Sequence, residues 1–247
     1  MLFSTRIATI FIAVALVGWG IMHFMTGDFI TGRAPSWPEG LPGRLAWAYT
    51  SGVLLIVSAI SIVSGATFAP NQKTRFAVIC SGILVLAWAG GRNLYAVLPN
   101  LDYGYMLTNL GKSITIGSGL LLIALDKKRS IFIFASICIG IFFLIGGIQH
   151  FIFIDFVKTL VPRWIPGDVF WSYVAGVGLV AAGIALITGI QRKLAALISS
   201  YMVFIWFLVL HVPLGFGETA SFNEWIAIFE ALFVASILAV IYWREER

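Results

Sequence analysis

The chain has 247 residues, of which 60% are hydrophobic and only 11% charged, with a mean hydropathy of +0.98. A soluble domain typically has about a quarter charged residues, so no fully wet surface can be built from this composition. The net charge of +5 lies mainly in the short segments between apolar runs, which excludes reading it as a nucleic-acid-binding surface.

The apolar runs are long and continuous. Barrel strands alternate, so an outer-membrane barrel is excluded; helices remain, because they satisfy every backbone group internally in lipid. A span needs roughly 20 apolar residues. In chain order the candidates are 7–25, 45–68, 75–98, 106–125, 131–152, 169–190, 194–213 and 224–243. The expectation is an all-α membrane protein of about eight transmembrane helices, with no room between them for a sizeable soluble domain. The first run follows Arg6 as a signal peptide's would, but no convincing small-x-small cleavage site comes after it, and it reads as the first helix.

Charge placement predicts topology. Arg6, Lys73, Arg75, Lys127, Lys128, Arg129, Arg192, Lys193, Arg244 and Arg247 fall on one side, whereas Arg33, Arg44, Lys158 and Arg163 fall on the other. Cytoplasmic loops carry the excess of Lys and Arg, so both termini are expected in the cytoplasm of a bacterial inner membrane. Asp28, Glu39, Asp102, Asp155, Asp168 and Glu218 then all lie in the outer loops.

The chain repeats itself. A shift of 127 residues places Gly20 on Gly147, His23 on His150, Phe24 on Phe151, Asp28 on Asp155, Pro35 on Pro162, Trp37 on Trp164 and Gly40 on Gly167. After a three-residue deletion, a shift of 124 pairs Trp47 with Trp171, Tyr49 with Tyr173 and Gly52 with Gly176. Later, a shift of 118 pairs Trp88 with Trp206, Asn93 with His211 and Lys112 with Glu230. Residues 1–126 and 127–247 thus read as two four-helix repeats. Four spans return the chain to its starting side, so the repeats are parallel and related by a pseudo-two-fold axis along the membrane normal. The loops TGDFITGRAPSWPEGLPGR and IDFVKTLVPRWIPGD share Asp-Phe, Pro, Trp and Gly. Each reads as an ordered hairpin on the outer interface, with Trp37, Trp47, Trp164, Trp171 and Trp225 as an aromatic belt.

Ionisable residues within spans are the best local pointers to function, since each is costly in lipid. They are His23, Arg92, Lys112, His150, His211 and Glu230, with Asn93 beside Arg92. All fall in the outer third. Lys112 and Glu230 lie about six residues from the outer ends of their helices, roughly 9 Å at 1.5 Å per residue. The inner halves carry only hydroxyls such as Ser58, Ser61 and Ser118. This predicts a polar cavity open to the outer face above an apolar floor. Lys112 would pair with Glu230 near the axis, or Arg92 would. His23 and His150 would bond Asp28 and Asp155, or a ligand. Cys80 and Cys138 form no Cys-x-x-Cys pair and read as packed thiols. No metal-ligand set and no haem motif is present.

The second repeat resembles the DoxX-like family of small four-helix membrane proteins. The likeness rests on Gly147, His150 and Phe151, on Asp155–Phe156, on the Val-Pro-x-Trp-x-Pro at 161–166, on Tyr173 and Gly176, and on FIWFLVLHVP and FNEWIAIFEALFVAS downstream. It covers 131–243, with the first repeat as a diverged second copy. The resemblance implies redox work at the bacterial inner membrane. The expectation is a subunit that binds quinone or another amphiphile while a partner protein carries the redox centre. His150 and His23 would bond quinone carbonyls, Glu230 would carry protons, and Arg92 with Lys112 would stabilise negative charge on the ring. Asn93, His211, Asp28, Asp155, Trp37 and Trp164 would complete the site. The alternatives are a lipid- or solute-binding or transport protein, and a scaffold for a membrane complex.

Overall fold

A computed structural model describes residues 4–65, 70–99, 104–218 and 220–245. Asp102 and Arg247, placed by sequence on opposite sides, lie outside the described residues. The chain is an all-α membrane protein, and among the described residues eight helices are long and apolar enough to cross a bilayer: α1 Thr5–Thr26, α2 Arg44–Val63, α3 Arg75–Val97, α4 Tyr105–Ala124, α5 Arg129–Ile152, α6 Asp168–Thr188, α7 Arg192–Gly215 and α8 Phe222–Glu245. Most bounds fall within two or three residues of the expected spans. The second is the exception: it ends at Val63, where the Ser64 hydroxyl bonds the Ile60 carbonyl.

Neighbouring helices pack in sequence, and α1 closes the ring against α8. In the same way α5 packs against α4, so the first helix of each half leans on the last helix of the other. α8 is the central element. Glu230 to Ile241 is buried without a break, as expected of a helix enclosed all round.

Close approach of the first two helices in each half depends on paired glycines. A Cβ on Gly20 would stand 2.9 Å from the Gly52 carbonyl oxygen, and one on Gly147 would stand 2.9 Å from that of Gly176. Small residues let backbones meet in this way in membranes. The third helix of each half carries a π-helical turn, Val85–Gly90 in α3 and Phe207–His211 in α7. Such turns often accompany functional positions; here they precede Arg92 and Asn93 in one helix and contain His211 in the other.

The two motif loops share one end of the bundle but fold differently. In residues 27–43, Phe29, Thr31 and Gly32 are buried. Gly32, at φ +69°, lies so close to α4 that a Cβ would come within 3.0 Å of the Ser113 Cα. Residues 153–167 form short helical turns at Ile154–Val157 and Lys158–Leu160. They lie on the surface, with Phe156 and Trp164 exposed. At the opposite end Glu245 pairs with Arg129 and the buried Arg192, each at 3.5 Å. Cys80 and Cys138 are unpaired thiols in α3 and α5.

Candidate functional site

Glu230 is the electrostatic centre. It sits in the buried stretch of α8, 4% exposed, and receives two cations. Arg33 Nε donates to Oε1 at 2.8 Å and Arg33 Nη2 to Oε2 at 3.0 Å. Lys112 Nζ donates to Oε2 at 2.9 Å. Three charge-assisted bonds on one carboxylate make a strong local knot. Arg33 is itself fixed by Asn223, whose side-chain oxygen accepts from Nη1 and whose backbone oxygen accepts from Nη2, both at 3.1 Å.

Beside this knot lies a cavity of about 1090 Å³. Its polar wall includes Arg33, Asn93, Lys112, Gln149, His150, His211 and Glu230. Its apolar floor includes Ile116, Phe143, Leu179, Val203 and Val234. Ile116 and Val234 are each four residues, about one turn or 6 Å, beyond Lys112 and Glu230. His150 is held by its Nδ1–H, which donates to the Gly146 carbonyl at 2.7 Å, and its ring stacks on Trp206 with centroids 6.3 Å apart. Its Nε2 makes no hydrogen bond among the described residues, and neither does the His211 ring. Gln149 donates to the Gly104 carbonyl at 3.0 Å and accepts from Thr108 at 2.7 Å.

Several sequence candidates are therefore together: Glu230, His150, Lys112, Asn93 and His211 all line the cavity. Asn93 also donates to the Gly32 carbonyl at 3.1 Å, anchoring the first loop from beneath. Others are elsewhere. His23, expected to match His150, is sealed. Its Nδ1–H donates to the Trp19 carbonyl at 2.7 Å, its Nε2 accepts from the Ile30 N–H at 3.4 Å, and the Phe29 ring meets it edge-on at 5.0 Å. No ring nitrogen is left for a ligand, and its expected bond to Asp28 is replaced by the one to Ile30. Arg92 does not reach Glu230. It donates to the Pro35 and Ser36 carbonyls, both at 2.7 Å, and lies over Trp88 at 5.0 Å.

Asp28 and Trp37 build the first loop. The Asp28 carboxylate accepts from the Phe29 N–H at 2.8 Å and the Trp37 N–H at 3.3 Å. Trp37 packs with Trp47 and Trp88 in a cluster whose centroids are 5.1 to 6.4 Å apart. The three rings pack as tilted pairs, and three of the five belt candidates, Trp37, Trp47 and Trp225, are half-buried. Trp164 faces outward. Asp155 does not bond His150; it takes Lys158 at 2.7 Å instead, and that ammonium holds its carboxyl below the usual carboxylate range.

Arg33 is the functional side chain that the sequence concealed. It stands in a loop, at φ +54°, and looks like an ordinary surface cation. The available signal was asymmetry: under the 127-residue shift its partner is Leu160.

A family model described as a domain of unknown function (DUF8561) matches residues 139–221. That stretch contains His150 and His211 but stops short of Glu230. No curated protein and no solved structure matches the chain.

Proposed function

We propose that this chain binds an amphiphile within the membrane, with the polar head at Lys112, Glu230 and the two cavity histidines and the apolar part on the floor beneath. One observation carries the reading: a charged knot and an apolar floor share a single cavity of about 1090 Å³. Ligand sites combine those two features, mostly apolar walls with a few convergent polar groups. The inner-half hydroxyls support binding over passage. Ser58, Ser136 and Ser236 bond the carbonyls of Leu54, Phe132 and Leu232 in their own helices.

Quinone is the amphiphile that the DoxX-like resemblance favours. A quinone head needs hydrogen-bond donors, and the spare N–H groups of Lys112 fit that need. Bound quinone would supply two-electron chemistry to a partner's redox centre, while Glu230 holds Lys112 in place beside it. In this reading the protein resides in a bacterial inner membrane, termini inward and cavity in the outer leaflet, as the basic residues suggest.

The test is to purify the protein gently, record its absorption spectrum and identify co-extracted molecules by mass spectrometry. A quinone or other amphiphile retained by the native protein and lost in His150→Ala is the expected result. Bulk lipid alone, in the same proportions in both proteins, would overturn the proposal.

A further inference from the structure

We infer that the head group this cavity selects is anionic, a carboxylate or phosphate on an apolar chain. The inference rests on the amphiphile-binding reading above and narrows its ligand class, putting an anionic head in place of the neutral quinone. Two cations, Arg33 and Lys112, meet a single carboxylate. Among the described residues that line the cavity, Glu230 is the only acid. The knot therefore carries one positive charge more than it neutralises.

The excess charge resides on Lys112. Four of the five N–H groups of the Arg33 guanidinium are committed to Glu230 and Asn223. The Lys112 ammonium has three N–H groups and donates one to Glu230 at 2.9 Å, while its side chain is 23% exposed. Two cations sharing one carboxylate at this depth are unfavourable. An anionic head on Lys112 supplies a second counter-ion; a neutral head does not. The floor at Ile116 and Val234 lies one turn deeper, so the chain of the ligand continues toward the bilayer centre.

The experiment uses the full chain in nanodiscs of zwitterionic phosphatidylcholine, above neutral pH, and reads thermal unfolding against added laurate, dodecyl phosphate, methyl laurate or decylubiquinone. Laurate or dodecyl phosphate should bind about tenfold more tightly than methyl laurate, and the stronger of the two tells carboxylate from phosphate. Lys112→Gln should abolish the preference and Lys112→Arg should keep it. Methyl laurate or decylubiquinone binding as tightly as the acids would overturn this inference and leave the amphiphile reading standing. Binding by none of the four would remove both. A preference that persists in Lys112→Gln would overturn the seat on Lys112; if that variant does not fold, the wild-type ratio of laurate to methyl laurate decides alone.

Discussion

Arg33 and Glu230 are 197 residues apart in sequence and meet as a two-pronged ion pair, Nε on Oε1 at 2.8 Å and Nη2 on Oε2 at 3.0 Å. The pair ties the loop after α1 to the middle of the bundle, next to the α1–α8 contact that closes the helix ring. It also fixes the carboxylate that positions Lys112. One residue thus serves both the architecture and the cavity.

Breaking this knot should be costly. Removing one partner of a buried ion pair leaves the other charge uncompensated and typically costs about 3–5 kcal/mol. Glu230→Gln strands two cations, so its unfolding midpoint should fall sharply, and amides of residues 29–34 should exchange faster. A variant that melts with the wild type would show that the knot contributes nothing net.

Arg92 and Lys112 looked alike in sequence, as basic residues at similar depth, but their partners differ. Arg92 serves the loop through two carbonyls and the Trp88 face. Hydrogen bonds from a charged donor contribute about 1.5–3 kcal/mol each. Arg92→Ala should therefore raise protease sensitivity in residues 35–43 while ligand affinity stays unchanged. Lost affinity with an intact loop would return Arg92 to the binding site.

His23 and His150 offer the sharpest contrast. His23→Ala would orphan the Ile30 N–H and leave a cavity, a loss of about 2–5 kcal/mol, without touching the ligand. His150→Ala should do the reverse, with modest loss of stability and marked loss of ligand. Unfolding midpoints and retained ligand, measured on both variants, decide the matter. Equal effects in both readouts would end the distinction.

The helices were legible because a long apolar run has few alternatives in lipid, and even the ends of α4 and α8 could be placed closely. The Lys112–Glu230 pair was legible only as one of two alternatives, the other being Arg92 with Glu230, since opposite charges at matching sequence positions suggest a pair but do not choose the cation. His23 was not. Both histidines sit at the same point of the same motif and send Nδ1–H back to a carbonyl four residues earlier. What separates them is the covering loop, buried in one half and on the surface in the other, and that is decided by packing against α3 and α4 far along the chain. Arg33 was hidden for the same reason: a loop cation reveals its partner only once the loop has folded inward.

The two motif aspartates should differ as their loops do. Asp28 is 15% exposed and bonds two backbone amides; Asp155 is exposed and bonds Lys158. Asp28→Asn should loosen the first loop and lower the midpoint, whereas Asp155→Asn should leave both unchanged. Lys158 depresses the Asp155 carboxyl. Any stability from that pair is therefore present above the unfolded carboxylate's range and lost as pH falls through the lower folded value. Carboxyl NMR titration of wild type and Lys158→Ala checks the direction: the Asp155 midpoint should rise in the variant.

Adjacent glycines in α5 give the last prediction. A Cβ on Gly147 would come within 2.8 Å of the Val180 backbone nitrogen and 2.9 Å of the Gly176 oxygen, whereas one on Gly146 meets only Leu179 Cδ1 at an ordinary 3.8 Å. Backbone cannot step aside as a side chain can, so Gly147→Ala must push α5 from α6, and overpacking of this kind costs about 1–3 kcal/mol. Gly146→Ala has room, and alanine is the better helix former by about 1 kcal/mol, so it should be neutral or stabilising. Thermal midpoints of the two variants give the comparison. Gly147→Ala should also disturb the cavity, because His150 is one turn away on the same helix and its Cβ already lies 2.9 Å from where a Cβ on Gly176 would stand. If Gly147→Ala folds as well as Gly146→Ala and retains ligand, then α5 and α6 are not held at backbone contact, and the placement of His150 depends on the Gly146 carbonyl and Trp206.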